Sequence, residues 1–441
     1  MQKQQEHSGR NVSRRDFMKR SATAAAAFVA ASGLSSRAYA AGSDEIKVGL
    51  VGCGGRGTGA ATQALMATKT PVKLWAMADL FRDCLDRSYD MLANGAQARY
   101  DRVAFETLKP QMDVPEERKF VGFDACQKLL ASDVDMVILA SPPGFRPLHA
   151  KAAVEAGKHV FMEKPVAVDP AGIRTVIAAA RLAKEKGLSV VAGTQRRHQN
   201  HYLEIMKRIH DGAIGEIRAA QCYWNDAGGS LRQEKPAGMS DMEWQVRHWY
   251  YFCWLSGDHI VEQHVHNIDI MSWALQAHPE FVMGMGGRAV REGGNIWDHF
   301  AIEFEYPGDV RVLSMCRHHP RCTNRVSEHI VGTKGTAYID SSTGWIHGDH
   351  PYEPPASPDP YTQEHADLID SIRNGKGLNE GVQVAESTMA AVAGRMSAYT
   401  GRAMKWDWVM NQSKLDLSPA KHELGDLPVD PVPVPGRTQL I

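Results

Sequence analysis

Thirteen residues, KVGLVGCGGRGTG from 47 to 59, hold six glycines and follow directly on a short apolar run. No other feature limits the fold as strongly. IKVGLVG reads as a buried strand, and TGAATQALMAT carries helix formers, so the glycines stand at a strand-to-helix turn. In that setting Gly52, Gly54 and Gly57 satisfy G-x-G-x-x-G. The first makes the tight turn, the second lets a pyrophosphate approach the backbone, and the third lets helix and strand pack closely. Cys53, Gly55 and Arg56 belong to the same loop, where the helix N-terminus turns unpaired N–H groups toward the phosphates. A second strand, VKLWAMAD, ends at Asp79, 22 residues after Gly57. A carboxylate there accepts hydrogen bonds from the adenosine ribose and repels a 2′-phosphate, which favours NAD. Arg82 close by keeps NADP open.

Strand-like and helix-like segments go on alternating as far as LSVVAG near residue 192, which predicts a parallel, doubly wound sheet. Ligands gather at the carboxyl ends of such strands. Two elements end there: Ser141–His149, offering Ser141, Pro142 and His149, and Glu163–Pro165, offering Glu163 and Lys164. A chain of 441 residues calls for more than one domain. The expected division is a dinucleotide-binding domain over 44–195, a second domain over 196–411 and a proline-rich tail over 412–441 that lies along a neighbouring surface or subunit. The formal net charge of −1 and the lack of like-charge blocks leave no footprint for nucleic acid or an anionic membrane, and small neutral partners fit better. The first forty residues read as a twin-arginine export signal: SRRDFMK from Ser13, a small-residue apolar stretch too short to span a bilayer, and AYA ending at Ala40. This predicts a periplasmic protein exported already folded by the twin-arginine machinery, with no membrane span in the mature form. Seven cysteines with no C-x-x-C give no disulfide framework.

The order of glycine loop, strand-terminal Asp79, proline turn with His149, and EKP at 163–165 resembles the glucose-fructose oxidoreductase, inositol dehydrogenase and rhizopine catabolism (Gfo/Idh/MocA) family. GTQRRHQNHY and GAIGEIRAAQCYWN resemble that family's crossover into its second domain. The resemblance implies a Rossmann domain followed by an α+β domain with a large open, mostly antiparallel sheet. Strand-like runs at 281–290, 299–307, 310–318 and 328–340 fit such a sheet, with the GTKG step as a hairpin turn. A closing helical segment near 362–400 returns toward the Rossmann domain, and an open sheet of this kind often joins a partner subunit, so a homo-oligomer is expected.

The resemblance also implies a chemical centre built from the EKP lysine, Lys164, and a histidine on a helix. HNID places that histidine at His266, with Glu262 four residues earlier where the family more often has Asp. On one helix over 254–275 the two would share a face, and the carboxylate would orient the imidazole. Oxidising a secondary alcohol needs its C–H held against the nicotinamide while a base takes the hydroxyl proton. A histidine of near-neutral pKa suits the base, and a lysine can donate to the alcohol oxygen. His259, Glu262, His264 and His266 could also be read as metal ligands, but 264 points away from the other three, so no metal is expected. Arg197, Tyr223, Arg247 and His248 lie in runs rich in sugar-binding groups, and Asp258 and His264 serve either as substrate contacts or as packing.

The expected function is an oxidoreductase moving hydride between a sugar, polyol or glycoside and a tightly bound NAD. Two alternatives stay open. One is an NAD-dependent glycoside hydrolase working through transient C3 oxidation, with Tyr223, His248 or His264 as the extra acid or base. The other is a sugar-binding pseudoenzyme.

Overall fold

The computed structural model describes residues 45–67, 72–94, 108–355 and 357–441. The expected export signal at 1–40 lies outside them.

Apolar, β-branched segments alternating with helix formers build the first half as β1 (Ile46–Val51), α1 (Gly55–Met66), β2 (Val72–Asp79), α2 (Arg82–Asn94), β3 (Lys119–Val121), α3 (Ala125–Leu130), β4 (Met136–Leu139), α4 (Arg146–Glu155), β5 (His159–Met162), α5 (Pro170–Glu185) and β6 (Val190–Ala192). The strands form a parallel sheet in the order β3-β2-β1-β4-β5-β6. The chain winds outward in both directions from the β1/β4 pair, so the carboxyl ends of these two strands form the switch point where ligands bind. β1 is buried at every position but Lys47, as a strand covered on both faces must be.

From Glu45 onward the chain is one compact unit, and a second sheet packs within it. Its strands are β7 (Ile217–Asp226), β8 (Phe281–Gly287), β9 (His299–Tyr306), β10 (Val310–His318), β11 (Arg325–Gly332), β12 (Gly335–Asp340), β13 (Gly344–Gly348) and β14 (Met404–Lys405), in the order β13-β12-β11-β7-β10-β9-β8-β14. β7 and β10 pair in parallel, and the remaining pairs are antiparallel. The fold class expected from the sequence is therefore the one observed. Alternation along β7 sends Cys222 and Trp224 to the helical face and Gln221 and Tyr223 to the other. The registers put Met283, Leu313 and Gln221 in one cross-strand row on that second face, and Met285, Met315 and Tyr223 in the next.

The helices of this half are α6 (Asn200–His210), α7 (Asp241–Arg247), α8 (Cys253–Ser256), α9 (His259–Glu262), α10 (Val265–Leu275), α11 (Pro360–Arg373), α12 (Gly381–Thr400) and α13 (Trp406–Asn411). The single helix expected over 254–275 is instead three short ones. Gly257 (φ +78°) and Asp258 (φ +69°) take left-handed backbone that ends α8. Asp258 then caps α9 by accepting from the His259 N–H. The closing segment is likewise two helices: α11 packs on α1, and α12 packs on α5 and β8. Among the described residues no helix is long and apolar enough to cross a membrane.

Candidate active site

The geometry of the glycine loop demands glycine at two of the three motif positions and leaves the third open. Gly52 has φ +95°, and a Cβ there would lie 2.3 Å from the Ser141 nitrogen. A Cβ on Gly57 would come within 1.8 Å of the Gly52 carbonyl oxygen. At Gly54, the N-cap of α1, a Cβ would meet nothing within 4 Å, and no side chain caps that helix. The backbone is therefore open where an anion would approach. Asp79 steadies the loop, accepting from the Cys53 N–H at 2.6 Å and the Phe81 N–H at 2.8 Å. Burial raises its carboxyl pKa while these two bonds lower it.

A cavity of about 460 Å³ opens beside the loop, lined by Gly52, Gly54, Asp79, Ser141, Pro142 and His149 together with aromatic residues. Ser141 Oγ lies 3.0 Å from His149 Nδ1. Burial, then the charges of Arg146 and His422, bring His149 down to about 4, so its ring is neutral. An open phosphate cradle, a ribose-facing carboxylate and an apolar end together fit a dinucleotide. Arg146, which the sequence reading passed over, is buried and donates to the carbonyls of Ser141 and Pro165, locking the two strand-end turns together. Arg56 donates to Glu163 Oε1 and Gln63 Oε1, joining the glycine loop to the EKP turn.

Beyond that turn, Lys164 Nζ donates to the Glu262 carbonyl at 2.5 Å and to Glu262 Oε1 at 2.9 Å. Two ligation points of this group are buried and have no partner: Glu262 Oε2 and His266 Nδ1. His266 stacks on Trp224, with centroids 5.8 Å apart. Burial first, then the charges of Lys164, Arg196 and His264, push its pKa well below the ordinary histidine value. Two expectations are corrected here. Glu262 partners the lysine rather than the imidazole, because the break between α9 and α10 removes their shared helical face. The His266 pKa is held well below the ordinary histidine value by burial rather than lying near neutral. Buried polar atoms left without a partner cost free energy, which sets Glu262 Oε2 and His266 Nδ1 apart from the paired groups around them.

Residues 46–194 match the family model described as an oxidoreductase family with an NAD-binding Rossmann fold, and residues 202–338 match the Gfo/Idh/MocA C-terminal domain. The chain belongs to the Gfo/Idh/MocA oxidoreductase family. Among curated Gfo/Idh/MocA relatives it is 27% identical over 238 residues to the 2,7-anhydro-N-acetylneuraminate hydratase of Escherichia coli, covering 52% of this chain and 58% of that enzyme. It is 31% identical over 173 residues to the scyllo-inositol 2-dehydrogenase (NADP(+)) of Bacillus subtilis, covering 39% of this chain and 43% of that enzyme. The chain thus spans roughly half the length of these relatives. The crystal structure of aldose-aldose oxidoreductase from Caulobacter crescentus complexed with glycerol shares the fold, with a TM-score of 0.64 at 18% identity over 82% of this chain and 99% of that one.

Within this Gfo/Idh/MocA scaffold, the six residues expected to bind substrate fall in several different surroundings. Arg197 is clamped by Asp269 through two 2.8 Å bonds. Tyr223 sits on the face of β7 away from His266, its hydroxyl bonded to Gln221 and its ring under Arg325. Arg247 and His248 line the dinucleotide cavity. Asp258 accepts from Trp297 N–H and the Tyr399 hydroxyl. His264 is enclosed by Ser314 and Asn267, and burial brings it down to about 3. A packing role was the other reading open for Asp258 and His264, and it is the observed one. Of the groups in the metal reading, His259 bonds Asp258 through Nδ1, Glu262 bonds Lys164 through Oε1 and His264 bonds Ser314 through Nε2. Among the described residues the one trio of metal-type groups is Asp298, His299 and His319, where Asp298 Oδ1 lies within hydrogen-bond distance of both rings.

Proposed function

We propose that this protein oxidises or reduces a secondary alcohol of a sugar or polyol with NAD held in the cavity beside Gly54, and that it does so as an exported, periplasmic homo-oligomer. The observation carrying the reading is the grouping of Lys164, just past β5, with Glu262 on α9 and His266 on α10, beyond the end of the strand next to β4, which leads to the cavity wall at Ser141. Bound dinucleotide supplies the hydride acceptor or donor. Lys164 has spent two N–H groups on Glu262, and the third holds the substrate oxygen. The His266 imidazole takes the hydroxyl proton. The lysine charge that weakens His266 as a base also acidifies the hydroxyl it touches, so the two partners of the transfer fall in basicity together. Glu262 aims Lys164.

Asp79 at the cavity favours NAD. Arg82, the residue that kept NADP open, is drawn away to Asp86 and Glu116. The twin-arginine sequence before Ala40 supports export, and a protein that leaves the cytoplasm with its cofactor benefits from holding it tightly. The outer sheet face with exposed Met283 and Met285 supports self-association. The glycoside hydrolase reading loses the residues offered for it, because Tyr223, His248 and His264 are engaged elsewhere.

The test is to dialyse the mature protein extensively, denature it, and identify the released nucleotide by chromatography. Near-stoichiometric NAD(H) is the expected result, followed by absorbance change at 340 nm on addition of polyols or sugars. Absence of any dinucleotide, with none taken up on incubation, refutes the reading.

A further inference from the structure

The cavity beside the glycine loop is not closed by the Rossmann domain alone. Arg247, His248 and Trp249, at and just beyond the end of α7, line it, and so does His422 from the tail. Arg247 reaches across to α2, where its NH1 and NH2 lie 3.2 and 3.1 Å from the two carboxylate oxygens of Asp83, and its guanidinium covers the Phe81 ring at 3.9 Å. The tail braces this roof. Met242 N–H donates to the Gly425 carbonyl, Leu427 N–H to Asp241, and the Gln245 amide to the Leu427 carbonyl. His422 packs its ring 5.4 Å from Phe145 and 6.2 Å from Phe123, both of which line the cavity.

The tail has no helix or strand of its own, yet it is tied down along its length. Leu417 N–H donates to Asp169, Trp297 Nε1 to the Pro433 carbonyl, and Gly436 N–H to the Thr400 carbonyl. Ser413 Oγ finally donates to the carbonyl of Ile441, so the two ends of the segment meet. A loop ordered by this many contacts forfeits much backbone entropy. Packing it across the open side of a binding cavity gives that cost a use.

We propose that the C-terminal tail is part of the dinucleotide site: His422 forms the wall at its aromatic end, and residues 417–427 hold the α7 roof shut over the bound adenosine half. The inference rests on the cofactor reading above and goes beyond it, because it makes the tail the element that sets how slowly the dinucleotide leaves. Release then requires the tail to lift or the Arg247–Asp83 bridge to open.

The experiment loads wild-type protein, His422→Ala and His422→Phe with NADH and follows nicotinamide fluorescence after mixing with excess NAD. His422→Ala should release NADH about tenfold faster, the size expected for one lost aromatic contact plus a loosened strap. His422→Phe should restore slow release, and the circular dichroism of the dinucleotide-free protein should not change in either variant. Hydrogen exchange on the wild type supplies an independent measurement, in which NADH should slow exchange at the Leu427 and Met242 amides. Release rates within twofold of wild type for His422→Ala, or unchanged exchange at those amides, overturn the role of the tail. Wild-type protein that binds no NADH at all overturns the cofactor reading itself, and the two failures are told apart by that control.

Discussion

At the scale of single residues, the candidate site is distinguished by selected buried atoms that have no partner. Lys164 is satisfied by Glu262 on two of its hydrogens, while His266 Nδ1 and Glu262 Oε2 are buried and free. Replacing Lys164 or His266 by Ala should lower kcat by about 10²–10⁴-fold, the usual contribution of a positioned acid or base, with nucleotide release assays showing the cofactor still bound. Because burial holds His266 well below the ordinary histidine value, the ring stays neutral through the range where a free histidine titrates. The profile of kcat/KM against pH should therefore show no inflection near 6.5. An inflection there that vanishes in His266→Ala would show the ring to be more exposed than its packing against Trp224 implies.

At the scale of elements, the short turn Gln195–His198 that joins the two halves acts as a clasp. Arg196 donates to Glu328, Arg197 to Asp269, and His198 sits between Asp367 and Glu380. Arg197 had been a candidate for holding substrate, since sequence alone shows a guanidinium but not the carboxylate that claims it. Removing one member of a buried ion pair leaves the other uncompensated. Arg197→Ala should cost about 3–5 kcal/mol of stability in denaturant titration and leave KM nearly unchanged in the folded fraction. His198 adds a pH dependence. Burial alone would lower its pKa, but the hydrogen bonds to Asp367 and Glu380 win and raise it to about 10. A raised folded-state pKa means that the charged clasp contributes fully below about 6.5, the unfolded value, and is lost as the pH climbs through about 10. The melting temperature should fall over that window, and His198→Gln should flatten the fall.

At the scale of the whole molecule, the two sheets divide the work. The parallel sheet carries the cofactor cradle, and the second sheet backs α10 with one face and leaves the other open. The open face presents Met283 and Met285 at 60% and 69% exposure in rows with Leu313 and Met315. If that face joins two copies, Met283→Glu combined with Met285→Glu should shift the protein to monomer in light scattering while leaving its circular dichroism unchanged.

Sequence alone determined the Rossmann half, because a glycine cradle between a buried strand and a helix is a local requirement on backbone space, and Gly52 and Gly57 meet it through contacts only a missing Cβ permits. It also singled out Lys164 and His266 as candidates, through motifs that stay local in the chain. Tertiary structure alone decided which distant partners the polar side chains near the site find. Arg197, Asp258 and His264 became buried structure, Arg247 and His248 went to the cofactor cavity, and Tyr223 was turned to the far face of β7 by strand alternation. The reason is that an ion pair or a buried hydrogen bond depends on a partner brought near by the fold, as Asp269 lies 72 residues from Arg197 and Asp83 lies 164 from Arg247. His422 is the extreme case: nothing around it in the sequence marks a cofactor wall, and only the path of the tail across Phe123 and Phe145 makes it one.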